Sequence, residues 1–278
     1  MAKRFEKIGG RLSQVAAPTQ HPHGSEGVFP GRFLKRKQAH ALAARRSKLL
    51  RPRDHTQRRL RRKEYNIDKI LDHSLFTIED LGFNSIFIRA NEHLLSIAKT
   101  LRADVPETLI KRMELTKKAY GELWDPYTET YYPRDFVTHK LIKEPSVESL
   151  LPLYAGCISP ERAALLVKTI ENEHMFGPAH PVPSVPLNSP WFNSRRYWQG
   201  PTWFNTNWLI ADGLKRYGYK EHAEALIESS LELVQDGHFN EYYNPLTGEP
   251  LGSPNFSWTA AVALDWLKSQ KSTIKTGH

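Results

Sequence analysis

The sequence predicts an all-α fold of helix hairpins, arranged as a toroid with long loops and preceded by a basic, largely disordered arm. Three observations carry that reading. Beyond residue 65, apolar residues recur at three- and four-residue steps. Helix ends are marked by Ser or Asp caps, first-turn prolines and terminal glycines. The long segments between them are rich in Trp, Tyr, Asn and Pro, and functional residues gather on loops held by a rigid scaffold.

The 278 residues are 40% apolar and 11% aromatic, enough for a packed core, which excludes collagen-like, mucin-like and wholly disordered chains. The net charge of +9 is unevenly placed. Residues 1–63 hold 18 basic and 3 acidic residues, net +15; the remainder holds 21 and 27, net −6. The chain therefore divides into a basic arm (1–63), a mildly acidic body (65–268) and a short tail (269–278). Gly and Pro punctuate the first half of the arm, Lys37 to Leu50 can form a helix, and the like charges from Arg58 to Lys63 repel and stay solvated. Lys and Arg supply nonspecific affinity for nucleic acid. Yet the arm has only Phe5, Phe29 and Phe33 for base stacking and no nucleic-acid motif, so that reading ranks last. Cys157 is alone, which excludes an intrachain disulfide and a Cys-based metal site. No signal-peptide core is seen, and no apolar run approaches the roughly 20 residues that cross a bilayer. The expectation is a soluble, cytoplasmic protein without membrane contact.

The body reads in order as follows. Phe76 to Leu101 is a long helix with Phe83, Phe87, Ala90, Leu94, Ile97 and Leu101 on one face. Asp104 caps the next helix, with Pro106 in its first turn, running to about Trp124. Asp125 to Asp135 is a turn and a strand-like piece. Ser146 to Tyr154 is a short helix. Ser159 caps another that ends near Glu173, and a Pro-rich loop follows. Gly200 to Tyr217 and Tyr219 to Gln235 form a hairpin of helices, punctuated by Gly218 and Gly237. His238 to Pro254 is a long loop, and Phe256 to Leu267 is the last helix. Stacked hairpins make a solenoid or a closed toroid. No short consensus repeats, and this favours the toroid.

Six of the seven tryptophans lie between Trp191 and Trp266. Flat amphipathic rings suit the apolar faces of a sugar, and their polar tips suit its hydroxyls. Trp208 and Trp266, inside helices, read as core. For Tyr197 and Trp198 on the loop, and for Trp203 in the first turn of the helix, core and ligand-facing roles both stay open. Glu241 stands among aromatics in His238 to Pro245 and could serve as a general base, although most glutamates are simply solvated. Glu249, after a turn, reads as solvent-exposed. The histidines show no metal spacing, and no P-loop, dinucleotide fingerprint, His-Glu-x-x-His or Gly-x-Ser-x-Gly is present.

Three segments resemble the C-terminal part of the catalytic domain of glycoside hydrolase family sixty-three: Arg196 to Leu209, Phe239 to Glu249, and Phe256 to Ala260. Asp80 to Glu92, Pro145 to Tyr154 and the Pro-Val-Pro-Ser-Val-Pro loop at 181–186 are similar as well. The likeness covers about residues 65–268, and the bacterial mannosylglycerate and glucosylglycerate hydrolases look nearest. The resemblance implies an (α/α)6 toroid that cleaves an α-glycosidic bond of a small glycoside with inversion; no cofactor is expected, and nothing in the sequence is a convincing metal-ligand set. It implies Glu241 as catalytic base, with Tyr197, Trp198 and Trp203 lining the sugar subsite and Gln199 as a polar contact. The family's general acid is an Asp in a Gly/Asp/Asn/Ser/Trp-rich stretch upstream, which has no counterpart here. About seven of the toroid's twelve helices are countable. The chain thus reads as a partial toroid behind a foreign arm, as a truncated or frame-shifted reading frame would produce, and as poorly active alone. The alternative is an inactive carbohydrate-binding remnant or partner protein. Either way, uncovered apolar faces of inner helices would drive self-association.

Overall fold

The computed structural model describes residues 57–71, 77–177 and 181–275, with side chains to 269. The expectations for residues 1–56, including the disordered arm and the helix over Lys37 to Leu50, lie outside the described residues, as do Phe76 and His180. The chain divides into two compact units on either side of residues 77 and 78. In the first, residues 57–62 are helical and α1 spans Ile67–Leu71, where the Lys69 N–H donates to Asn66 Oδ1 at 3.0 Å.

The second unit is mostly helical. Its helices are α2 (Leu81–Leu101), α3 (Glu107–Tyr120), α4 (Pro152–Ala155), α5 (Pro160–Glu171), α6 (Phe204–Arg216), α7 (Lys220–Glu232) and α8 (Ser257–Lys275). Short 3-10 turns cover Gly121–Leu123 and Val147–Leu150. Three two-stranded antiparallel ladders lie in the loops: β1 (Ile78–Glu79) with β4 (Arg134–Asp135), β2 (Trp124–Asp125) with β3 (Thr130–Tyr131), and β5 (Asn240–Tyr243) with β6 (Pro250–Pro254). Segments α2, α4, α6 and α8 pack one on the next, while α3, α5 and α7 lie against α2, α4 and α6. This is an arc of a two-layered helical toroid, as the sequence predicts. Its core runs between the layers through Leu81, Ile88, Leu150, Leu153, Leu166, Ile210 and Leu214.

The helix signals hold where the local chemistry is complete. Ser159 caps α5 ahead of Pro160 as expected, but α2 begins at Leu81 rather than Phe76: Ile78–Glu79 pair as a strand, and Asp80 caps the helix by accepting from the Phe83 N–H at 2.5 Å. Asp104 does not cap α3, which begins at Glu107 with Pro106 as its extended N-terminal neighbour. Proline disfavours helical backbone at Val105 before it, so Asp104 lies too far out to act as a cap. The last helix continues through residue 275, past the expected tail boundary. No described helix is long and apolar enough to cross a membrane.

The apolar stripe of α2 does not face the core. Phe83, Phe87, Leu94, Ile97 and Leu101 are exposed, while Leu81, Ser85 and Ile88 form the buried side. Periodicity identifies residues that share a face; it does not identify the neighbour that covers it.

A half-buried pair of carboxyls, Asp80 and Glu148, joins the start of α2 to the turn before α4. Burial first, then the charge and hydrogen bond of Asp80, push the Glu148 carboxyl up to about 7, against the opposing pull of the Gly82 N–H. A carboxyl whose folded pKa exceeds its unfolded value contributes stability that is complete below the unfolded value and lost as pH rises through 7. Urea midpoints are therefore expected to fall from pH 5 to pH 8, and Glu148→Gln should remove much of that fall. An equal fall in both proteins would contradict the assignment.

Candidate active site

Three loop segments are joined by Thr202. Its N–H donates to the Tyr243 carbonyl at 2.9 Å and its own carbonyl accepts from the Tyr243 N–H at 3.0 Å. Its hydroxyl donates to the Val182 carbonyl at 2.8 Å. The Ser184 N–H donates to the Pro201 carbonyl, and the Gly200 N–H donates to Ser184 Oγ. Asn207, fully buried on α6, directs its amide N–H groups to Val182, Thr202 and Trp203. The Pro-rich loop, the aromatic loop and the β5–β6 hairpin are thereby held on the first turns of α6.

Glu241 lies on strand β5, not in an irregular loop as expected. Register pairs Asn240 with Pro254 and Tyr242 with Leu251, so Gly252 and Ser253 stand opposite Glu241 alone. This is a bulge, a device that re-aims a side chain. The Glu241 carboxyl accepts from the Ser253 N–H at Oε2 (3.2 Å) and from the Tyr197 hydroxyl at Oε1 (3.4 Å). Gly252, at φ +73°, packs directly on it: a Cβ there would lie 2.7 Å from Glu241 Cβ and 2.8 Å from Oε2.

The predicted aromatics come together beside this carboxyl, but at different depths. Tyr197 and Trp198 are exposed, whereas Trp203 is 2% exposed. Trp203 stacks on Trp198, centroids 4.0 Å apart and planes at 4°, and on Tyr242 at 4.9 Å. The edge of Tyr197 meets both Trp203 and Tyr242. Trp203 does not begin the helix; it is the extended residue before α6. Gln199 is half-buried, and its carbonyl closes the loop by accepting from the Asn193 N–H.

Two further residues differ from expectation. Glu249 is not free in solvent: it pairs with Arg195 at 2.6 Å, tying the aromatic loop to the hairpin turn. Trp266 is core, but Trp208 is only half-buried, because its indole N–H reaches out to Asp265 at 2.8 Å. Tyr242, Gly252 and Ser253 were not singled out from the sequence. Burial first, then the charge of Glu241, push the Tyr242 phenol up. The only sequence signal for the other two is a Gly-Ser pair between prolines, which gains meaning once β6 is paired. Among the described residues, no group of three His, Cys, Asp or Glu is placed to hold a metal ion.

The arrangement offers one oriented carboxylate with lone pairs left for a water, beside two exposed rings. Such a group can act as a general base next to a ring-stacked ligand.

Comparison with known proteins places this geometry. A family sequence model, described as the mannosylglycerate hydrolase MGH1-like glycoside hydrolase domain, matches residues 24–259, reaching upstream into the basic segment. A mannosylglycerate hydrolase of Thermus thermophilus is 39% identical over 212 residues, covering 75% of this chain and 50% of that protein. A glucosylglycerate hydrolase of Mycolicibacterium hassiacum is 34% identical, covering 73% of this chain and 47% of its own. The crystal structure of a family sixty-three mannosylglycerate hydrolase from Thermus thermophilus, in complex with glucose, superposes with a TM-score of 0.70 at 37% identity, over 75% of this chain and 52% of that one. The chain spans about half the length of the curated relatives it matches. With a family match over most of its length and the fold in common, the chain belongs to the MGH1-like glycoside hydrolases of family sixty-three.

Proposed function

We propose that this chain carries the base side of an inverting α-glycosidase acting on a small glycoside such as mannosylglycerate or glucosylglycerate. One observation carries the reading: the Glu241 carboxyl is oriented by donors on both oxygens beside the exposed rings of Tyr197 and Trp198. Glu241 is the base that activates water; Tyr197 and Trp198 face the sugar, with Gln199 as the nearby polar side chain. The names of the relatives support the substrate class. Inversion requires a second carboxyl roughly 6.5–9.5 Å from the base, to protonate the leaving oxygen. On the reading that the acid-bearing stretch is absent from this chain, turnover of glycosylglycerates by these residues alone is expected to be slow.

The test uses a substrate that needs no such proton. α-Mannosyl fluoride and α-glucosyl fluoride expel fluoride unaided. Proton NMR should show the β-anomer of the free sugar appearing first. The α-anomer appearing first would overturn the inverting assignment. Binding of the sugar without hydrolysis would leave only the carbohydrate-binding alternative.

The stripe on α2 supports self-association as part of the same proposal. Contiguous exposed apolar side chains of this kind mark interaction surfaces. Light scattering on a sizing column should show concentration-dependent assembly that Leu94→Lys with Ile97→Lys reduces. A compact monomer at all concentrations would contradict it.

A further inference from the structure

We propose that Trp203 is a positioning residue, which holds Tyr197 in the backbone conformation from which its phenol reaches Glu241. This deepens, and rests on, the reading of Glu241 as the base. Trp203 has no open face: Trp198 covers one side of its ring, Tyr242 the other, and the edge of Tyr197 closes a third approach. Its indole N–H donates to the Tyr197 carbonyl at 3.4 Å.

That carbonyl belongs to a residue with φ of +42°, a region that L-residues avoid and that persists only where the surroundings over-determine it. The backbone angle of Tyr197 sets where its carbonyl and its side chain point. If the carbonyl is freed, φ can relax to negative values and the phenol leaves Glu241 Oε1, now 3.4 Å away. Trp203 is itself anchored. Its carbonyl accepts from the amide of Asn207 at 2.8 Å and from the hydroxyl of Thr206 at 3.1 Å, both on α6. A continuous path therefore runs from helix α6 through Trp203 to Tyr197 and on to the carboxylate. The bonds at 3.4 Å are long, as catalytic hydrogen bonds often are before substrate binds.

The experiment reads Glu241 directly. Protein carrying 13C in its glutamate carboxyls is observed by NMR at fixed pH, and the Glu241 signal is identified by its loss in Glu241→Gln. Tyr197→Phe should move the chemical shift of that signal. Trp203→Phe, which keeps an aromatic ring but removes the N–H donor, should move it in the same sense. The double variant should add nothing further, as expected for residues acting through one contact. An unmoved Glu241 signal in folded Trp203→Phe, or additive effects of the two changes, would overturn the proposal. If Trp203→Phe does not fold, benzothienylalanine at 203 keeps the indole shape without the N–H and gives the same two outcomes. Hydrolysis of α-mannosyl fluoride is the second arm: kcat should fall by up to about 10²-fold. If the unaltered chain hydrolyses no fluoride, the base assignment fails, while the NMR arm still decides whether Trp203 positions Tyr197.

Discussion

Glu241→Gln is expected to lower the rate of α-mannosyl fluoride hydrolysis by about 10²–10⁴-fold, the range that a positioned acid or base supplies. Fluoride departs without a proton, so the loss would report the base alone. The amide is the same shape as the carboxyl. It can keep a hydrogen bond with Ser253 and one with Tyr197, whose hydroxyl both donates and accepts. Thermal melting should therefore shift little. A variant that retains more than a tenth of the activity would remove Glu241 from the mechanism.

Gly252→Ala should damage the same step from the opposite strand. At φ +73° an alanine is strained by roughly 1–2 kcal/mol. Its methyl would also meet Glu241 Cβ and Tyr242 Cε1, both at 2.7 Å, closer than real Cβ atoms approach anything. Something must shift, and the lightest candidate is the Glu241 side chain. A displacement approaching about 1 Å can cost about 10²-fold in rate. Gly237→Ala is the control: φ there is +81° and nothing lies within 4 Å of the added methyl. Both variants should melt lower, Gly252→Ala by more because the clash adds to the backbone strain, but only Gly252→Ala should lose kcat. Equal rates in the two would show that the Gly252 contact does not position the base.

The helices were legible because their signals are local. Ser159 with Pro160 at the start of α5, and Gly218 after α6, each act within a turn of chain, whereas the Asp80 cap of α2 was not singled out from the sequence, which starts that helix at Phe76. Asp104 shows how narrow that legibility is: one proline two residues later moved the helix start beyond its reach. The site was legible in its residue types and not in its arrangement. Glu241, Tyr197 and Trp198 come together in the structure, with Glu241 on a bulged strand and Trp203 under the rings it was grouped with.

The sequence by itself determined the helical class, most helix boundaries and the residues from which a base and a sugar platform could be made. It did so because caps, periodicity and aromatic clustering depend on neighbours a few positions away. Only the tertiary structure decided which ring is exposed, which ring is support, and that the described residues leave the apolar face of α2 open. Those outcomes depend on pairing across the chain: the bulge needs β6 opposite β5, the buried stack needs Tyr242 behind Trp203, and the covering of a helix face needs a neighbour that the pattern of the helix itself cannot name.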